Sequence, residues 1–441
     1  MLQRFTDFIL QQHLLSPGQE VLLAVSGGRD SVCMAHLFHR AAIPFAVAHC
    51  NFHLRPGDCD RDQALVRRMA GDFGVPFFTA DFDTLAVAAA TGRSIEEAAR
   101  HLRYSFFDDL CRSHGFAAVA TAHHRDDSVE TFFLNLFRGT GISGLHGIRP
   151  RSRLGSLAVV RPMLCFSRAD IDAYVQTHAL PFADDYTNAL LDAQRNRIRL
   201  RLMPLLRELY PSVDATMAAN LERFAQAGEV YGRAVDDLSR RLRRSGRSPF
   251  CFGFHSFVLA DLLALEPLPT LLFELLRPYG FSSAVAAEVA EVLRRPRTGS
   301  LFLSATHAAA IDRQRLLVVE RDFAVSPTLS TATASVPPAP SARERDALCL
   351  QECVDADSLH LPLSLRPWQP GDRFFPLGMD HPRRLSDFLK DCKINVFEKR
   401  CVHVAIDADG RIVWVVGLRL DNRFRVTPST SRLLVLKASY K

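Results

Sequence analysis

Val21-Leu-Leu-Ala-Val25 runs straight into Ser26-Gly27-Gly28-Arg29-Asp30-Ser31, and an apolar-periodic segment through Cys33, Met34, Leu37 and Phe38 follows. The first run, bounded by Gly18 and Ser26, has the length and continuity of a buried parallel strand, and the last segment has helical spacing. A glycine pair between strand and helix lets backbone approach an anion closely, where the helix presents free N–H groups and the positive end of its dipole. The hydroxyls of Ser26 and Ser31 add donors, and Asp30 is a carboxylate able to hold magnesium on phosphates. A tight turn alone would need only the glycines; the flanking serines favour a phosphate loop built from Ser26, Gly27, Gly28, Arg29, Asp30 and Ser31. It is neither the Walker loop nor the Rossmann fingerprint.

Outward from this loop, Phe45–His49, Val75–Thr79, Phe116–Thr121 and Leu157–Val160 read as further strands, with helical segments between them. Ser94 with Glu97, and Ser167 with Asp170, are capping boxes that open two of those helices. Strands alternating with helices give an α/β fold with a doubly wound parallel sheet. That pattern stops near Pro211. Residues 213–295 are helical by periodicity and end in a strand-like pair, Ser300–Leu303 and Arg315–Val319. The Ser/Thr/Ala/Pro tract from Ser326 to Ser341 reads as linker. Val402–Ile406 and Ile412–Val416, joined through Asp409-Gly410, predict a hairpin in a small α+β module. The expected domains are therefore 1–212, a mainly helical 213–325, a linker at 326–345, and a C-terminal 346–441.

Composition narrows the class. The 441 residues are 48% hydrophobic and 23% charged, as in a globular protein. No run nears the roughly 18 apolar residues of a membrane span, and the first residues read as a helix rather than a signal peptide, so no membrane partner and a cytoplasmic location are expected. Ten cysteines include no C-x-x-C, which argues against metal and redox roles. The net charge of +6 is compatible with a polyanionic partner.

Other polar clusters admit two readings each. Asp126, Asp127 and Glu130 open a helix whose apolar face is Val129, Phe132, Phe133, Leu136 and Phe137. They either complement the helix dipole or hold an ammonium or a magnesium ion at the carboxyl edge of the sheet. Arg100 and Arg103, one turn apart, are solvated or meet a carboxylate or pyrophosphate. His123 and His124 cap the strand end or face the ligand. Arg195, Arg197, Arg199 and Arg201, with Arg240, Arg241, Arg243, Arg244 and Arg247, suggest a surface that tracks nucleic-acid phosphates.

Ser-Gly-Gly-x-Asp-Ser resembles the pyrophosphatase loop (PP-loop) of the N-type ATP pyrophosphatases, whose fold is adenine-nucleotide alpha-hydrolase-like. Four further stretches are similar to the tRNA(Ile)-lysidine synthetase family: Ala99–Tyr104, Thr121–Thr131, Arg138–Gly147, and Asp184–Asn188 with Arg195–Arg199. Gly371–Gly378, through Leu385–Leu389 to Lys393-Ile394, looks like that family's last domain. The resemblance implies a ligase that uses ATP and Mg2+ to attach free L-lysine to C2 of the wobble cytidine in a CAU-anticodon tRNA(Ile). It implies catalytic roles for Asp30, Asp127 and Arg195, ATP binding by residues 26–31 and His49, lysine binding by Arg103, Asp127 and Glu130, and tRNA binding by Arg195, Arg197, Arg199, Arg373 and Lys393. Asp30 is the expected magnesium ligand, and a homodimer is left open.

Two departures stand out. Ala48 precedes His49 where the family often has aspartate, and the tract after residue 325 is long. Thiolases on the same loop need a reactive cysteine pair or an iron–sulfur cluster. Amidating synthetases need no arginine clusters. A non-catalytic tRNA-binding protein would not need Ser26–Ser31 and Asp127/Glu130 intact.

Overall fold

The computed structural model describes residues 1–54, 58–183, 194–295, 300–324, 326–334 and 348–440. The chain divides after Gly232 into two compact units, and each has its own architecture. No helix among the described residues is long and apolar enough to cross a membrane.

The first unit runs α1 (Leu2–Gln11), β1 (Val21–Ala24), α2 (Arg29–Arg40), β2 (Phe45–Asn51), α3 (Asp58–Phe73), β3 (Phe77–Asp81), α4 (Thr84–Thr91) and α5 (Ile95–His114). It continues through β4 (Val119–Ala120), α6 (Arg125–Arg138), β5 (Arg151–Leu154), β6 (Leu157–Val160), α7 (Arg168–Thr177), α8 (Gln194–Arg197), a π-helical turn (Ile198–Leu202) and α9 (Met203–Leu209). The sheet order is β3-β2-β1-β4-β6-β5, parallel except for β5, which pairs antiparallel with β6. Alternate residues of the central strands feed two cores. Val21, Leu23, Phe45 and Val47 pack under α1, α2 and α7, whereas Leu22, Ala46 and Ala48 pack under α5. Helices therefore cover both faces, which is why these strands read as unbroken apolar runs. Both capping boxes form, at Ser94/Glu97 and Ser167/Asp170. β5, Arg-Ser-Arg-Leu, carries no apolar signal and escapes sequence reading; as an antiparallel edge it needs only backbone pairing.

α10 (Val213–Leu242) runs through the division between the units. The second unit continues with β7 (Arg244–Arg247), β8 (Gly253–Val258), α11 (Leu259–Leu263), α12 (Leu268–Leu276), α13 (Ser283–Arg294), β9 (Leu301–Leu303), β10 (His307–Asp312) and β11 (Arg315–Glu320). Beyond these lie β12 (Pro327–Ala334), β13 (Gln351–Asp355), β14 (Ser364–Pro367), β15 (Arg373–Phe374), β16 (Arg383–Arg384), α14 (Leu385–Asp391), α15 (Glu398–Cys401), β17 (His403–Ile406), β18 (Ile412–Val415), β19 (Arg419–Leu420) and β20 (Leu433–Tyr440).

Two expectations change here, and a third gains strands. The region 213–325 carries the expected helices, α10 to α13, but β7-β8-β11-β10-β9 also form a five-stranded antiparallel sheet where the sequence predicts one strand pair. The linker reading fails for β12, which pairs with β20 along its whole length from Pro327↔Tyr440 to Ala334↔Leu433. Threonine and serine fit a half-exposed pleated surface, and an edge strand held by its backbone needs few apolar residues. The rest of that tract, 335–345, lies outside the described residues. Finally, the apolar face of α6 is only partly covered: Val129 and Phe132 are buried, but Leu136 is 46% and Phe137 66% exposed. The expected 402–416 hairpin is present as β17 and β18.

Candidate active site

The loop after β1 opens α2. Gly27 takes φ +93°, a conformation an L side chain rarely adopts, and its carbonyl accepts from Ala183 N at 3.0 Å. Gly28 is the N-cap of α2 at φ −71°, with no side chain capping the first turn, so that turn's N–H groups face an incoming anion. Ser31 Oγ donates to Gly28 O at 2.8 Å, and Ser26 Oγ lies 3.3 Å from Ser31 Oγ. His49 does not reach the cleft, contrary to its expected ATP contact. It is 3% exposed, and its Nδ1 lies 2.9 Å from Val25 O, so that nitrogen carries the proton. Burial pushes the ring's pKa down, leaving a neutral brace beneath the loop.

An acid–arginine cluster faces the loop. Arg168, the first residue of α7, donates to both Asp30 oxygens at 3.0 and 3.2 Å. Its backbone N–H is held by Asp126 at 2.9 Å, so Asp126 fastens α7 and also meets Arg207 at 3.2 Å. His124, at the N-cap of α6, stands between Asp30 (3.9 Å) and Asp127 (3.5 Å). Burial pushes the Asp30 carboxyl up against the opposing pull of His124 and Arg168. Asp127 feels burial too, but His124, its backbone amide, His123 and Arg199 outweigh it and hold the carboxyl below its ordinary value.

Glu130, expected to bind lysine, is buried against Arg199. It is 2% exposed, and Arg199 donates to it at 2.6 and 3.0 Å. Burial pushes the carboxyl up, yet with a guanidinium so near, and with Glu130 in turn raising the pKa of Arg199 against burial, the pair is ionised. Both Glu130 oxygens are taken up by Arg199 in this arrangement. The expected run of outward arginines is revised. Residues 194–202 are helical, so Arg195 and Arg199, four apart, share one face and turn toward the acids. Arg195 donates to Thr131 Oγ1 at 3.0 Å; its Nε is buried 3.6 Å from Glu130 without a hydrogen bond. Arg197, Arg201, Arg373 and Lys393 are exposed.

Ser26, Gly28, Ser31, Asp30 and Asp127 help line a cleft of about 500 Å³ at the carboxyl ends of β1, β2 and β4. The chain leaves β1 toward β2 and β3 on one side and places β4 on the other, so the cleft sits at the topological switch point. Arg29, Arg100, Arg103, Arg168, Arg195 and Arg199 line it against two carboxylates, Asp30 and Asp127. That surplus of cations, with the uncapped loop, suits a polyphosphate. Arg100 and Arg103 come from α5, where Arg103 lies 5.1 Å over the Phe52 ring. His123 also lines the cleft; burial lowers its pKa to about 4, so it is neutral near pH 7. Cys50 lines it with a thiol that burial pushes up to about 12, unsuited to thiolate chemistry.

Among the described residues no group of three or more carboxylate, histidine or cysteine ligands gathers. Magnesium fits by its usual route, one or two carboxylates (Asp30 and Asp127) completed by phosphate oxygens and water. Sequence reasoning missed Arg168, treating Ser167-Arg168 only as a helix start; its position just past the carboxyl end of β6 was the available signal. Asp184–Asn188 and Arg55 lie outside the described residues.

Three family descriptions match the chain: a PP-loop domain over 2–206, a TilS substrate binding domain over 253–321, and a TilS substrate C-terminal domain over 363–436. Curated relatives include a tRNA(Ile)-lysidine synthase of Bacteroides thetaiotaomicron, 36% identical over 99% of both chains. Another, of Parabacteroides distasonis, is 36% identical over 99% of both chains.

Proposed function

The chain belongs to the tRNA(Ile)-lysidine synthase family, and from that premise we propose that this cleft joins free L-lysine to C2 of the wobble cytidine of a CAU-anticodon tRNA(Ile). Two displacements suffice. Cytosine O2 attacks the α-phosphorus of ATP, the bond to the β-phosphate breaks, and pyrophosphate leaves. The neutral lysine ε-amine then attacks C2, the C2–O bond breaks, and AMP departs with the oxygen while the amine loses a proton.

The observation that carries this reading is the meeting of an uncapped glycine loop with the arginines of α2, α5, α7 and α8 around one switch-point cleft. Loop N–H groups and Arg168 receive the β- and γ-phosphates. Arg195, which lines the cleft, meets charge developing at the α-phosphate. Asp30 is the residue that would hold magnesium, which when bound neutralises polyphosphate charge. Asp127, the lower-pKa carboxylate that still lines the cleft, attracts the lysine ammonium, with Arg103 on the lysine carboxylate. Glu130 acts one step back, aiming Arg199. Exposed Arg197, Arg373 and Lys393 serve tRNA phosphates.

The test is pyrophosphate release that requires both ATP and the CAU transcript, followed by acid-precipitable labelled lysine on that RNA. Release that is independent of the RNA, or label on bulk tRNA, would defeat the proposal.

A further inference from the structure

Phe137 lies in the last turn of α6 on the row that begins at Glu130, seven residues and about 10 Å of helix rise away. Its ring stacks on Phe133, with centroids 5.9 Å apart and planes at 27°, and the residue is 66% exposed. The ring is backed by Phe133 on one side and leaves its other face open to a partner. Arg138 follows it, and its partner among the described residues is the neutral Gln194 amide at 2.9 Å, so no carboxylate there offsets its charge.

The loop beyond supplies an independent sign. Gly139 takes φ +80°. A Cβ at Gly144 would lie 2.0 Å from Thr140 Oγ1, and one at Gly147 would lie 2.3 Å from Ser128 Oγ. Those three glycines answer to internal needs. Gly141 does not: at φ −80° any residue fits, and a Cβ there would meet nothing within 4 Å. As the N-cap of the short 3-10 turn Ile142–Gly144, Gly141 leaves bare backbone open to close approach from outside.

An open aromatic face, an adjoining cation and bare backbone are what single-stranded RNA uses. A cytidine whose O2 must enter the cleft leaves the stack of its loop, and the flanking base then needs a new stacking partner. We propose that Phe137 is a stacking platform for the unpaired nucleobase flanking the cytidine held in the cleft, with Arg138 on the adjoining phosphate and the strand pressed against Gly141. This rests on the tRNA reading above, and the experiment separates the two.

CAU transcripts carrying 2-aminopurine on either side of the cytidine are titrated with the full chain, and lysine transfer is measured on unlabelled transcript. Wild type should quench one probe by stacking. Phe137→Ser should abolish that quench and raise the tRNA KM roughly tenfold or more, with kcat at saturating tRNA and ATP affinity kept. Phe137→Trp should restore both. Gly141→Val should raise the KM without lowering Tm. Quench and KM in Phe137→Ser equal to wild type overturn the platform while leaving the function intact. So does a dimer-to-monomer change in sedimentation at unaltered KM, which assigns the face to a second copy. No RNA-dependent pyrophosphate release by wild type sinks the functional reading, and the platform with it.

Discussion

Gly27 and Gly28 are neighbours under different constraints. Gly27 sits at φ +93°, so Gly27→Ala strains the fold itself, whereas Gly28 at φ −71° accepts a methyl conformationally. Gly28→Ala should therefore keep Tm within a degree or two and weaken ATP binding at least tenfold, measured by calorimetry; retained affinity would remove the loop from the phosphate site. Glu130→Gln tests the buried pair. Removing one partner of a buried ion pair costs about 3–5 kcal/mol, less here because Arg199 is partly exposed. The variant should lower Tm and slow adenylylation by misaiming Arg199. A raised lysine KM with Tm and adenylylation unchanged would instead return Glu130 to the lysine pocket. His123 gives a pH signature. Its folded pKa, lowered mainly by burial to about 4, lies below the ordinary 6.5, so between those values the unfolded chain binds the proton and the folded one does not. Stability contributed by the neutral ring is thus lost as pH falls through 6.5 toward 4, on the order of 1–2 kcal/mol at pH 5. His123→Asn should flatten the pH dependence of Tm in that window.

Among elements, α7 links fold to chemistry. Its capping box is Ser167 with Asp170, and its first residue is the Arg168 that grips Asp30. Burial raises the Asp170 carboxyl, but the Ser167 amide, Arg4 and the Ser167 hydroxyl outweigh it and set the pKa at about 2. Ser167→Ala should cost about 1 kcal/mol of stability and, by loosening the first turn, raise the KM for ATP severalfold. An unchanged KM with lowered Tm would make the cap purely structural. The segment from α8 onward shows what local reading leaves open. Arginines at 195, 197, 199 and 201 alternate as a strand would, and Pro204 looks like a stop. The chain instead stays helical, with a π turn at Ile198–Leu202 directly before Pro204 in the first turn of α9. A wider turn relieves the clash a proline makes with the preceding carbonyls. Helical spacing then gathers Arg195 and Arg199 on one side.

For the whole molecule, the second unit decides what can be removed cleanly. Alternate residues of β10 and β11 serve two cores. Ala309, Ile311, Leu316 and Val318 pack with α11, α12 and α13, while Ala308, Ala310, Leu317 and Val319 share a core with Trp414, Phe397 and Leu436 of the C-terminal module. Deleting residues 346–441 should therefore cost the remaining 233–345 its cooperative unfolding transition, seen in a melt; an intact transition would show a separable module. Phosphate contacts are better tested by Arg373→Glu with Lys393→Glu, both exposed, which should flatten the salt dependence of tRNA binding at unchanged Tm. From sequence alone came the parallel α/β half, its phosphate loop, both capping boxes and the 402–416 hairpin, because each is written in short-range signals: apolar runs, glycine pairs, caps at fixed offsets. Tertiary structure alone decided the partners. β5 and β12 exist through pairing with β6 and β20, and their own residues carry little apolar signal. Glu130 and Asp127 carry equal charge and stand three residues apart on one helix. Arg199, about 70 residues away in the chain, takes both Glu130 oxygens but reaches Asp127 through one bond at 3.3 Å, so Asp127 still lines the cleft; burial and Coulomb energy depend on distance in space rather than along the chain.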